Sequence, residues 1–287
     1  MAPALAAGNC VVLKPARLTP LSVLLLMEVI GDLLPPGVVN VVNGAGGEIG
    51  EYLATSKRIA KVAFTGSTEV ATLLQRNIAT RLDAQGRPIP LIAETGGMNA
   101  MIVDSSALTE QVVVDVLASA FDSAGQRCSA LRVLCLQDDV ADHTLKMLRG
   151  AMAECRMGNP GRLTTDIGPV IDEEAKANIE RHIQAMRAKG RPVFQAVREN
   201  SDDAREWQTG TFIAPTLIEL ESFDELQKEV FGPVLHVVRY TRNNLGSLIE
   251  QINASGYGLT LGVHTRIDET IAQVTGSAYV GNLYVNR

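Results

Sequence analysis

The chain has 287 residues, a formal net charge of −6 and a sequence pI of about 5.3, and 46% of its residues are hydrophobic while only 4% are aromatic. No basic cluster stands out and no apolar run approaches the roughly 18 residues that a membrane span requires, so the sequence predicts neither a nucleic-acid surface nor a transmembrane segment. The opening stretch "MAPALAAGNC" lacks the basic segment of a signal peptide, and a cytoplasmic protein is therefore predicted.

Short β-type runs alternate with helical runs over the first ninety residues. The predicted strands are "CVVLK" (10–14), "VVNVV" (38–42) and "KVAFT" (61–65). The helix between the first two strands has Thr19 as its N-cap and Pro20 in its first turn, and both residue types are favoured at these positions. Apolar strands that alternate with helices predict an α/β fold, with a parallel sheet that is covered on both faces.

Three of these strand ends carry residues of the kinds that bind ligands, and ligands of parallel sheets lie beyond the carboxyl ends of the strands. Gly66 and Ser67 open a helix, where free backbone N–H groups can hold a phosphate, although an ordinary serine N-cap explains the pattern equally well. Lys14 can contact a ribose or phosphate, or simply lie exposed at its strand end. The glycine-rich segment 44–47 lacks the full G-x-G-x-x-G spacing. Together the three features favour a nucleotide cofactor.

A second α/β segment follows from about residue 89. "PIPLIAETGGMNAMIV" predicts a strand, a Gly-Gly turn and another strand, and the apolar spacing predicts a helix over 109–121 that Gly125 ends. The polar stretch 198–210 is predicted to be a surface loop. The other predicted elements are a strand at 131–137, helices near 139–155, 172–188 and 243–254, and β-rich pieces at 211–220, 233–241, 257–265 and 279–286.

Cys128 and Glu94 are the candidates for covalent and acid–base chemistry. Cys128 lies in "DSAGQRCSALR" (122–132), where a thiolate can act as a nucleophile and the cysteine N–H can stabilise an oxyanion. An unreactive surface thiol is the alternative. Glu94 precedes the Gly96-Gly97 turn and can activate water as a general base. Its alternative is a structural carboxylate that is hydrogen-bonded near that turn.

The remaining cysteines are predicted to have no chemical role. Cys10, Cys135 and Cys155 lie in apolar or helical patterns, which favour core packing. The four cysteines form no C-x-x-C pair and the four histidines are scattered. Neither a disulfide framework nor a zinc or other metal site is therefore predicted.

The whole chain resembles the aldehyde dehydrogenase superfamily. It carries five motifs in the order and spacing of that family, namely "GNCVVLKPA", "FTGSTEV", "AETGGMN", "SAGQRCS" and "KEVFGPV". By this resemblance Cys128 is the catalytic nucleophile and Glu94 is the general base. The resemblance also implies that Glu229 holds the nicotinamide ribose and Phe231 the ring. The other implied cofactor contacts are Lys14, Gly66 and Ser67.

From about Leu74 onward the sequence resembles one branch of this family, the 1-pyrroline-5-carboxylate dehydrogenase module of bacterial proline utilisation A proteins. That resemblance implies oxidation of L-glutamate γ-semialdehyde to glutamate, with Ser129 contributing to substrate binding. Residues 1–70 resemble the acetaldehyde-type branch instead. A fragment or hybrid chain is therefore expected, and a simple aliphatic aldehyde is the alternative substrate.

Arg17 bears on the choice of cofactor. The NAD-using pattern of the family usually has glutamate at this position, where the carboxylate accepts hydrogen bonds from the ribose 2′-hydroxyl, whereas an arginine favours a 2′-phosphate. Arg17 therefore favours NADP, while the branch that the catalytic half resembles favours NAD.

The resemblance implies a partial Rossmann-type dinucleotide-binding domain over 1–94 and an α/β catalytic domain over 95–287. The family's oxyanion-hole asparagine is expected to lie upstream of Met1 and its glycine-rich substrate segment downstream of Arg287, and the strands that the family uses for oligomerisation are expected to be missing from this chain. In the proline utilisation family this module is fused to a flavin-dependent domain and sometimes to a DNA-binding one. A catalytically inactive truncated fragment is a further alternative. Without the upstream asparagine one oxyanion donor is lost, and such a loss typically costs about a hundred- to thousandfold in rate.

Overall fold

The computed structural model describes residues 1–83, 85–196 and 209–287. These residues form two compact units, Met1–Thr95 and Gly96–Arg287. The division falls one residue after the boundary predicted from the sequence. Residues 198–208 of the predicted surface loop lie outside the described residues.

The first unit alternates short strands and helices, as the sequence predicts. Thr19 precedes the second helix and Pro20 begins it, so the predicted start is confirmed. A short N-terminal helix was not predicted. The elements are α1 (Ala2–Ala6), β1 (Val11–Leu13), α2 (Pro20–Ile30), β2 (Val39–Val41), α3 (Gly46–Thr55), β3 (Val62–Thr65), α4 (Thr68–Ile78) and β4 (Leu91–Glu94), with a 3-10 turn at Gly31–Leu33.

The strands of the first unit form two separate parallel pairs, β1 with β2 and β3 with β4. The parallel pairing that the sequence predicted is confirmed, but the strands of this unit form two separate pairs rather than one sheet covered on both faces. The strands are three or four residues long and none of their residues is fully buried, so each ladder contributes few hydrogen bonds and little apolar burial. The hydrophobic cluster of the unit lies between α3 and α4, at Ala54, Leu74 and Ile78, and Phe64 of β3 and Leu91 of β4 pack against it.

The second unit contains most of the regular structure of the described residues. Its strands are β5 (Ala100–Val103), β6 (Val133–Gln137), β7 (Val193–Gln195), β8 (Thr216–Leu220), β9 (Val234–Tyr240), β10 (Thr260–His264) and β11 (Asn282–Val285). Its helices are α5 (Thr109–Phe121), α6 (Asp138–Glu154), α7 (Glu173–Ala188), α8 (Leu245–Ala254) and α9 (Asp268–Ser277), with 3-10 turns at Asp122–Gly125, Phe223–Glu225 and Arg242–Asn244. Strand β7 and helix α9 were not predicted.

One seven-stranded sheet organises the second unit, in the order β11-β10-β5-β6-β9-β8-β7. All neighbouring pairs are parallel except β7 with β8, so the only antiparallel strand among those described lies at an edge. Strands β5 and β6 are buried along their whole length, which is typical of a parallel sheet covered on both faces. Burial on both faces holds β5 and β6 in place, so the loops that join their ends begin and end at fixed positions.

The three cysteines that were predicted to pack in a core differ in burial. Cys135 lies on β6 and is fully buried, which raises the pKa of its thiol to about 12. Cys155 is partly buried. Cys10 is exposed, so its predicted core position is wrong, because it precedes β1 rather than lying within the strand. No helix of the described residues is long and apolar enough to cross a membrane.

Candidate active site

Lys14 and Arg17 follow the end of β1. The Lys14 Nζ donates a hydrogen bond to the Pro15 carbonyl oxygen at 2.6 Å, and the Arg17 side chain is exposed. Because β1 and β2 are parallel, these residues and the glycine-rich segment 44–47 follow the carboxyl ends of paired strands. Both predicted cofactor contacts therefore lie at the kind of sheet edge where ligands bind.

Gly66 and Ser67 connect β3 to α4. Ser67 is the N-cap of α4, and its Oγ accepts a hydrogen bond from the Val70 N–H at 3.3 Å. A Cβ on Gly66 would lie 2.5 Å from the Phe64 ring, so the turn packs too closely for a larger residue. The Ser67 side chain thus has the N-cap role that the sequence left open, while the first turn of α4 still presents backbone N–H groups of the kind that bind phosphate.

Glu94 is the last residue of β4 and is exposed. It pairs with Thr65 across the ladder, and its carbonyl oxygen accepts a hydrogen bond from the Gly66 N–H at 3.1 Å. The predicted general base therefore lies beside the Gly66 turn within the first unit. Cys128 belongs to the second unit, and the pairing of the two residues in one site stays a prediction.

Cys128 is exposed and follows a left-handed turn. Ser123, Ala124 and Gly125 have φ angles of 56°, 53° and 66°. The Gln126 side chain holds this turn, because its Nε2 donates to the Ser123 and Pro169 carbonyl oxygens and its Oε1 accepts from the Ile171 N–H. The predicted helix over 109–121 is confirmed, but it ends at Phe121 and Gly125 belongs to the separate turn that follows, so the prediction that Gly125 ends the helix is wrong. The turn leaves the thiol at the surface rather than in the core.

Asn99 holds the backbone around Cys128. Its Nδ2 donates to the carbonyl oxygens of Cys128 and Ala130 at 2.7 and 2.8 Å, and its side chain is almost fully buried. The Cys128 N–H has no hydrogen-bond acceptor within residues 96–196 and 209–287. A donor left free beside a thiol is what an oxyanion site requires, as the sequence analysis predicted.

Ser129 lines a cavity of about 390 Å³ in the second unit. Cys128 is not among the residues that line this cavity. The wall also carries charged and polar side chains, which include Asp115, Asp122, Arg127 and Tyr284. The structure therefore places Ser129 in the wall of this mixed cavity, and its contact with a substrate bound at Cys128 stays a prediction.

Glu229 forms an ion pair with a fully buried arginine that the sequence analysis did not single out. The Nε and Nη2 of Arg132 donate to Glu229 Oε1 at 3.1 and 2.9 Å. Burial raises the pKa of Glu229 and the positive charge of Arg132 opposes that rise. Burial likewise lowers the pKa of Arg132, and Glu229 opposes that fall. A buried charge of either sign is tolerated here because the other is present.

Phe231 lies two residues beyond Glu229 and its ring is 44% exposed. The Arg132 guanidinium lies 5.2 Å from the centre of the ring, within the range of a cation–π contact. One arginine thus supports both residues that were predicted to hold the nicotinamide and its ribose. The exposed part of the ring is available for stacking with a flat ligand.

Two hydrogen-bonded histidines, His182 and His236, lie next to the main chain of Arg132. The Nδ1 of His236 lies 3.2 Å from the Arg132 carbonyl oxygen, so it must carry the proton, and its Nε2 accepts from the His182 Nε2 at 2.8 Å. Burial lowers the pKa of His236 to about 3 and also lowers the pKa of His182. Both rings are therefore neutral near pH 7 and have structural rather than acid–base roles.

The structure thus gathers the predicted residues into separate groups. Three of the residues that sequence reasoning missed lie around Cys128, and each has a position in the sequence that could have drawn attention to it. Arg132 immediately precedes the buried strand β6, Asn99 lies two residues after the Gly-Gly turn, and Gln126 precedes Cys128 by two residues. The first unit holds Lys14, Arg17, Gly66, Ser67 and Glu94, and the second holds Cys128, Ser129, Glu229 and Phe231. Within the described residues, no cluster of three or more histidine, cysteine or acidic residues could hold a metal ion.

The family model for the aldehyde dehydrogenase family matches residues 1–287. The chain is 80% identical over 291 residues to the bifunctional protein PutA of Escherichia coli, an alignment that covers 100% of this chain and 22% of that protein. It is 35% identical over 285 residues to 1-pyrroline-5-carboxylate dehydrogenase 1 of Halalkalibacterium halodurans, with 98% of this chain and 53% of that protein covered. The chain therefore spans between about a fifth and a half of the length of these relatives.

Solved structures give the same similarity. A crystal structure of a bifunctional proline utilization A protein superposes with a TM-score of 0.91 at 46% identity, over 99% of this chain and 28% of that one. A betaine aldehyde dehydrogenase of Staphylococcus aureus, solved with NAD⁺ and a mercaptoethanol-modified cysteine, superposes with a TM-score of 0.90 at 29% identity, over 99% of this chain and 57% of that one. Both similarities extend over almost all of this chain.

Proposed function

Since the chain belongs to the aldehyde dehydrogenase family, we propose that it takes part in the NAD(P)-dependent oxidation of an aldehyde to a carboxylic acid, with Cys128 as nucleophile. The single observation that carries this proposal is the exposed Cys128 thiol, whose backbone is held by buried Asn99 while its own N–H has no acceptor among the described residues of the second unit. This arrangement offers a nucleophile and an oxyanion donor on one residue.

The reaction begins when the Cys128 thiolate adds to the aldehyde carbon, which forms a thiohemiacetal with a negatively charged oxygen. The Cys128 N–H stabilises that oxygen. A bound NAD(P)⁺ supplies the acceptor for the hydride that leaves the carbon. The product on Cys128 is a thioester, which retains the acyl group until water displaces the thiolate.

Glu94 is the proposed general base of the second half-reaction. Its carboxylate takes a proton from water, the hydroxide oxygen adds to the thioester carbonyl, and the carbon–sulfur bond breaks to release the acid and the Cys128 thiolate. An exposed glutamate at the end of a parallel strand is free to turn towards a ligand. The presence of this base favours release of a free acid over transfer of the acyl group to coenzyme A.

The residues present fit a dinucleotide. In the first unit, Gly66 and Ser67 open an eleven-residue helix whose free N–H groups suit a phosphate, and Lys14 and Arg17 follow a neighbouring strand pair. In the second unit, Glu229 offers a carboxylate to a ribose diol and Phe231 offers an exposed ring face. Arg17 favours NADP, whereas the betaine aldehyde dehydrogenase to which the chain is similar was solved with NAD⁺.

The proposed substrate is L-glutamate γ-semialdehyde, which is oxidised to L-glutamate in proline catabolism. The 80% identity to PutA and the 35% identity to a 1-pyrroline-5-carboxylate dehydrogenase support this substrate. Ser129 directly follows Cys128 in the sequence and is the proposed substrate contact. We also propose a cytoplasmic location, since both cofactor and substrate belong to intermediary metabolism.

The test is to follow formation of NAD(P)H with glutamate semialdehyde and with acetaldehyde, using each of NAD⁺ and NADP⁺. We expect turnover with the semialdehyde, and loss of more than about 99% of it in Cys128→Ala because the nucleophile is removed. Glu94→Gln should still release a burst of NAD(P)H equal to the number of active sites, since hydride transfer precedes hydrolysis, and should then stop.

Cys10→Ala is the matched control, because Cys10 is exposed but lies outside the proposed site. It should retain wild-type rates. Faster turnover of acetaldehyde than of the semialdehyde would contradict the proposed substrate, and NAD⁺ preferred over NADP⁺ would contradict the role given to Arg17. Failure of the wild-type chain to bind either cofactor or to oxidise either aldehyde would refute the proposed function.

A further inference from the structure

We propose that Arg132 is a positioning residue that fixes the Glu229 carboxylate and the segment carrying Cys128 relative to one another. This inference rests on the proposed function, because it assigns Glu229 the task of holding the cofactor ribose. It adds a residue that contacts neither substrate nor cofactor in that proposal. The positioning role depends on the hydrogen bonds that the buried Arg132 guanidinium makes.

The side chain of Arg132 bridges two loops. Its Nε and Nη2 bind Glu229 Oε1, and its Nη1 donates to the Gly232 carbonyl oxygen at 3.2 Å. Its Nη2 also donates to the Arg127 carbonyl oxygen at 3.1 Å, and Arg127 immediately precedes Cys128. A single planar group therefore contacts both the cofactor-type carboxylate and the backbone that leads into the nucleophile. Movement of either loop would break at least one of these bonds.

The main chain of Arg132 is also fixed by hydrogen bonds on both of its sides. Its N–H donates to the Asn99 carbonyl oxygen at 2.9 Å, and its carbonyl oxygen accepts from the backbone N–H of His236 at 2.9 Å. Asn99 is the same residue whose side chain holds the Cys128 carbonyl oxygen at 2.7 Å. The guanidinium thus projects from a fixed point of the sheet, and a side chain with no exposed surface has little freedom to rearrange.

The Glu229 carboxylate is confined from its other side as well. A Cβ placed on Gly96 would lie 1.7 Å from Glu229 Oε2, so the carboxylate occupies space that only a glycine leaves free. One oxygen is therefore bound by Arg132 and the other is directed to the Gly96 turn. A carboxylate held in this way presents its remaining lone pairs in one orientation, which is what recognition of a ribose diol requires.

Arg132 also keeps Glu229 charged. Burial raises the pKa of Glu229, and Arg132 is the positive charge that opposes this rise. The charged or titratable side chains that face this pair are Arg127, Cys128, His236 and His182. Both histidines are neutral near pH 7, because burial lowers their pKa values. Without Arg132, the partly buried Glu229 would therefore take up a proton nearer to neutral pH.

The direct test is the titration of Glu229, measured by ¹³C NMR of glutamate carboxyl carbons, with Glu229→Gln to assign the signal. In Arg132→Gln we expect the midpoint to rise by at least about 1 pH unit relative to wild type, because the counter-charge is lost. Arg132→Lys keeps one charge without the planar fork, so its midpoint should lie between those of the wild type and Arg132→Gln. This measurement needs neither cofactor nor turnover.

The second readout is cofactor affinity as a function of pH. Arg132→Gln should bind NAD⁺ or NADP⁺ at least about tenfold more weakly at pH 7 and recover part of that loss as the pH rises, because loss of a charge-assisted hydrogen bond is typically worth this much. Glu229→Gln should be weak at every pH. The double variant should show no more pH dependence than Glu229→Gln, because no carboxylate remains to titrate.

Gly96→Ala tests the same positioning role without replacing Arg132, and it serves if Arg132→Gln does not fold. The new methyl group displaces only the flexible end of Glu229, so folding should be retained while the carboxylate leaves Arg132. We expect its Glu229 midpoint to rise and its cofactor affinity to fall, as in Arg132→Gln. Unchanged Glu229 midpoints in Arg132→Lys and Gly96→Ala would refute the positioning role, whatever their effect on unfolding.

The outcomes separate the two proposals. A wild-type chain that neither binds cofactor nor oxidises an aldehyde would refute the proposed function, even if the Glu229 midpoint depends on Arg132. An active wild-type chain whose Arg132 variants lose stability but keep both the Glu229 midpoint and the pH profile of cofactor binding would refute the positioning role alone.

Discussion

At the scale of single residues, three left-handed positions in succession precede the exposed thiol. Ser123 and Ala124 each have a Cβ, and for such residues this conformation costs roughly 1–2 kcal/mol. The cost is offset by the hydrogen bonds that the Gln126 side chain makes to Ser123 within the turn and to Pro169 and Ile171 of a distant segment. Gly125 has a further constraint, because a Cβ there would lie 2.2 Å from the Gly232 carbonyl oxygen.

Gly125→Ala should therefore lower the free energy of unfolding by roughly 2–4 kcal/mol, from left-handed strain and from the clash with Gly232. Urea unfolding measures this change. The matched control is Gly150→Ala on the exposed face of α6, where a Cβ meets nothing within 4 Å. The free energy of unfolding of Gly150→Ala should rise by about 0.5–1 kcal/mol, because alanine is a better helix former than glycine. Equal stability of the two variants would show that the turn is not constrained as described.

At the scale of elements, α7 and β9 meet through the His182–His236 hydrogen bond. His236 has a folded-state pKa of about 3 against an ordinary value of 6.5. Between these values the unfolded chain binds a proton that the folded chain does not. The fold is therefore destabilised as the pH falls through this window and regains that stability as the pH rises to the ordinary value.

We expect the free energy of unfolding to fall, on this account, by up to about 1.4 kcal/mol for each pH unit below 6.5. His236→Asn can keep the donor to the Arg132 carbonyl oxygen without titrating, and its stability should depend less steeply on pH over this window. Urea unfolding at a series of pH values tests this, with His143→Asn on the exposed face of α6 as control. Parallel stability profiles for wild type and His236→Asn would contradict the prediction.

At the scale of the whole molecule, the two units differ greatly in buried apolar surface. The core of the second unit surrounds fully buried strands such as β5 and β6, whereas the buried cluster of the first unit contains Ala54, Leu74 and Ile78. Burial of apolar area is the main stabilising contribution to folding, at about 25 cal/mol per Å². The strands of the first unit should consequently open more readily than those of the second.

Hydrogen exchange followed by mass spectrometry measures this difference. We expect amides of β1 and β2 to exchange at least about a hundredfold faster than those of β6 and β9, since local opening of small clusters costs little free energy. Among β1, β2, β6 and β9, we expect the peptide with residues 133–137 to be the most protected and the peptide with residues 11–13 to be the least protected. Similar protection in the two units would indicate that the first unit is stabilised by more than its own buried cluster.

Much of the fold was predictable because its elements have strong local patterns. Thr19 and Pro20 marked the start of α2, and the apolar spacing marked α5 up to the turn at Gly125. Strand β7 was missed because its three residues show no clear alternation and pair only at the sheet edge. The division of the first unit into two strand pairs was missed for a related reason, since strand pairing depends on contacts between segments that are distant in sequence.

The sequence by itself determined which residues are candidates for chemistry. Cys128 stands in a polar stretch between apolar elements, and Glu94 ends a strand just before a Gly-Gly turn, so residue type and local pattern were sufficient to choose them. Only the tertiary structure decided what holds these candidates in place. Arg132 lies 97 positions before its partner Glu229, and a bond across such a separation leaves no periodic trace in the sequence. This ion pair exists because the fold buries the positive charge of Arg132, and a buried charge requires a counter-charge close to it.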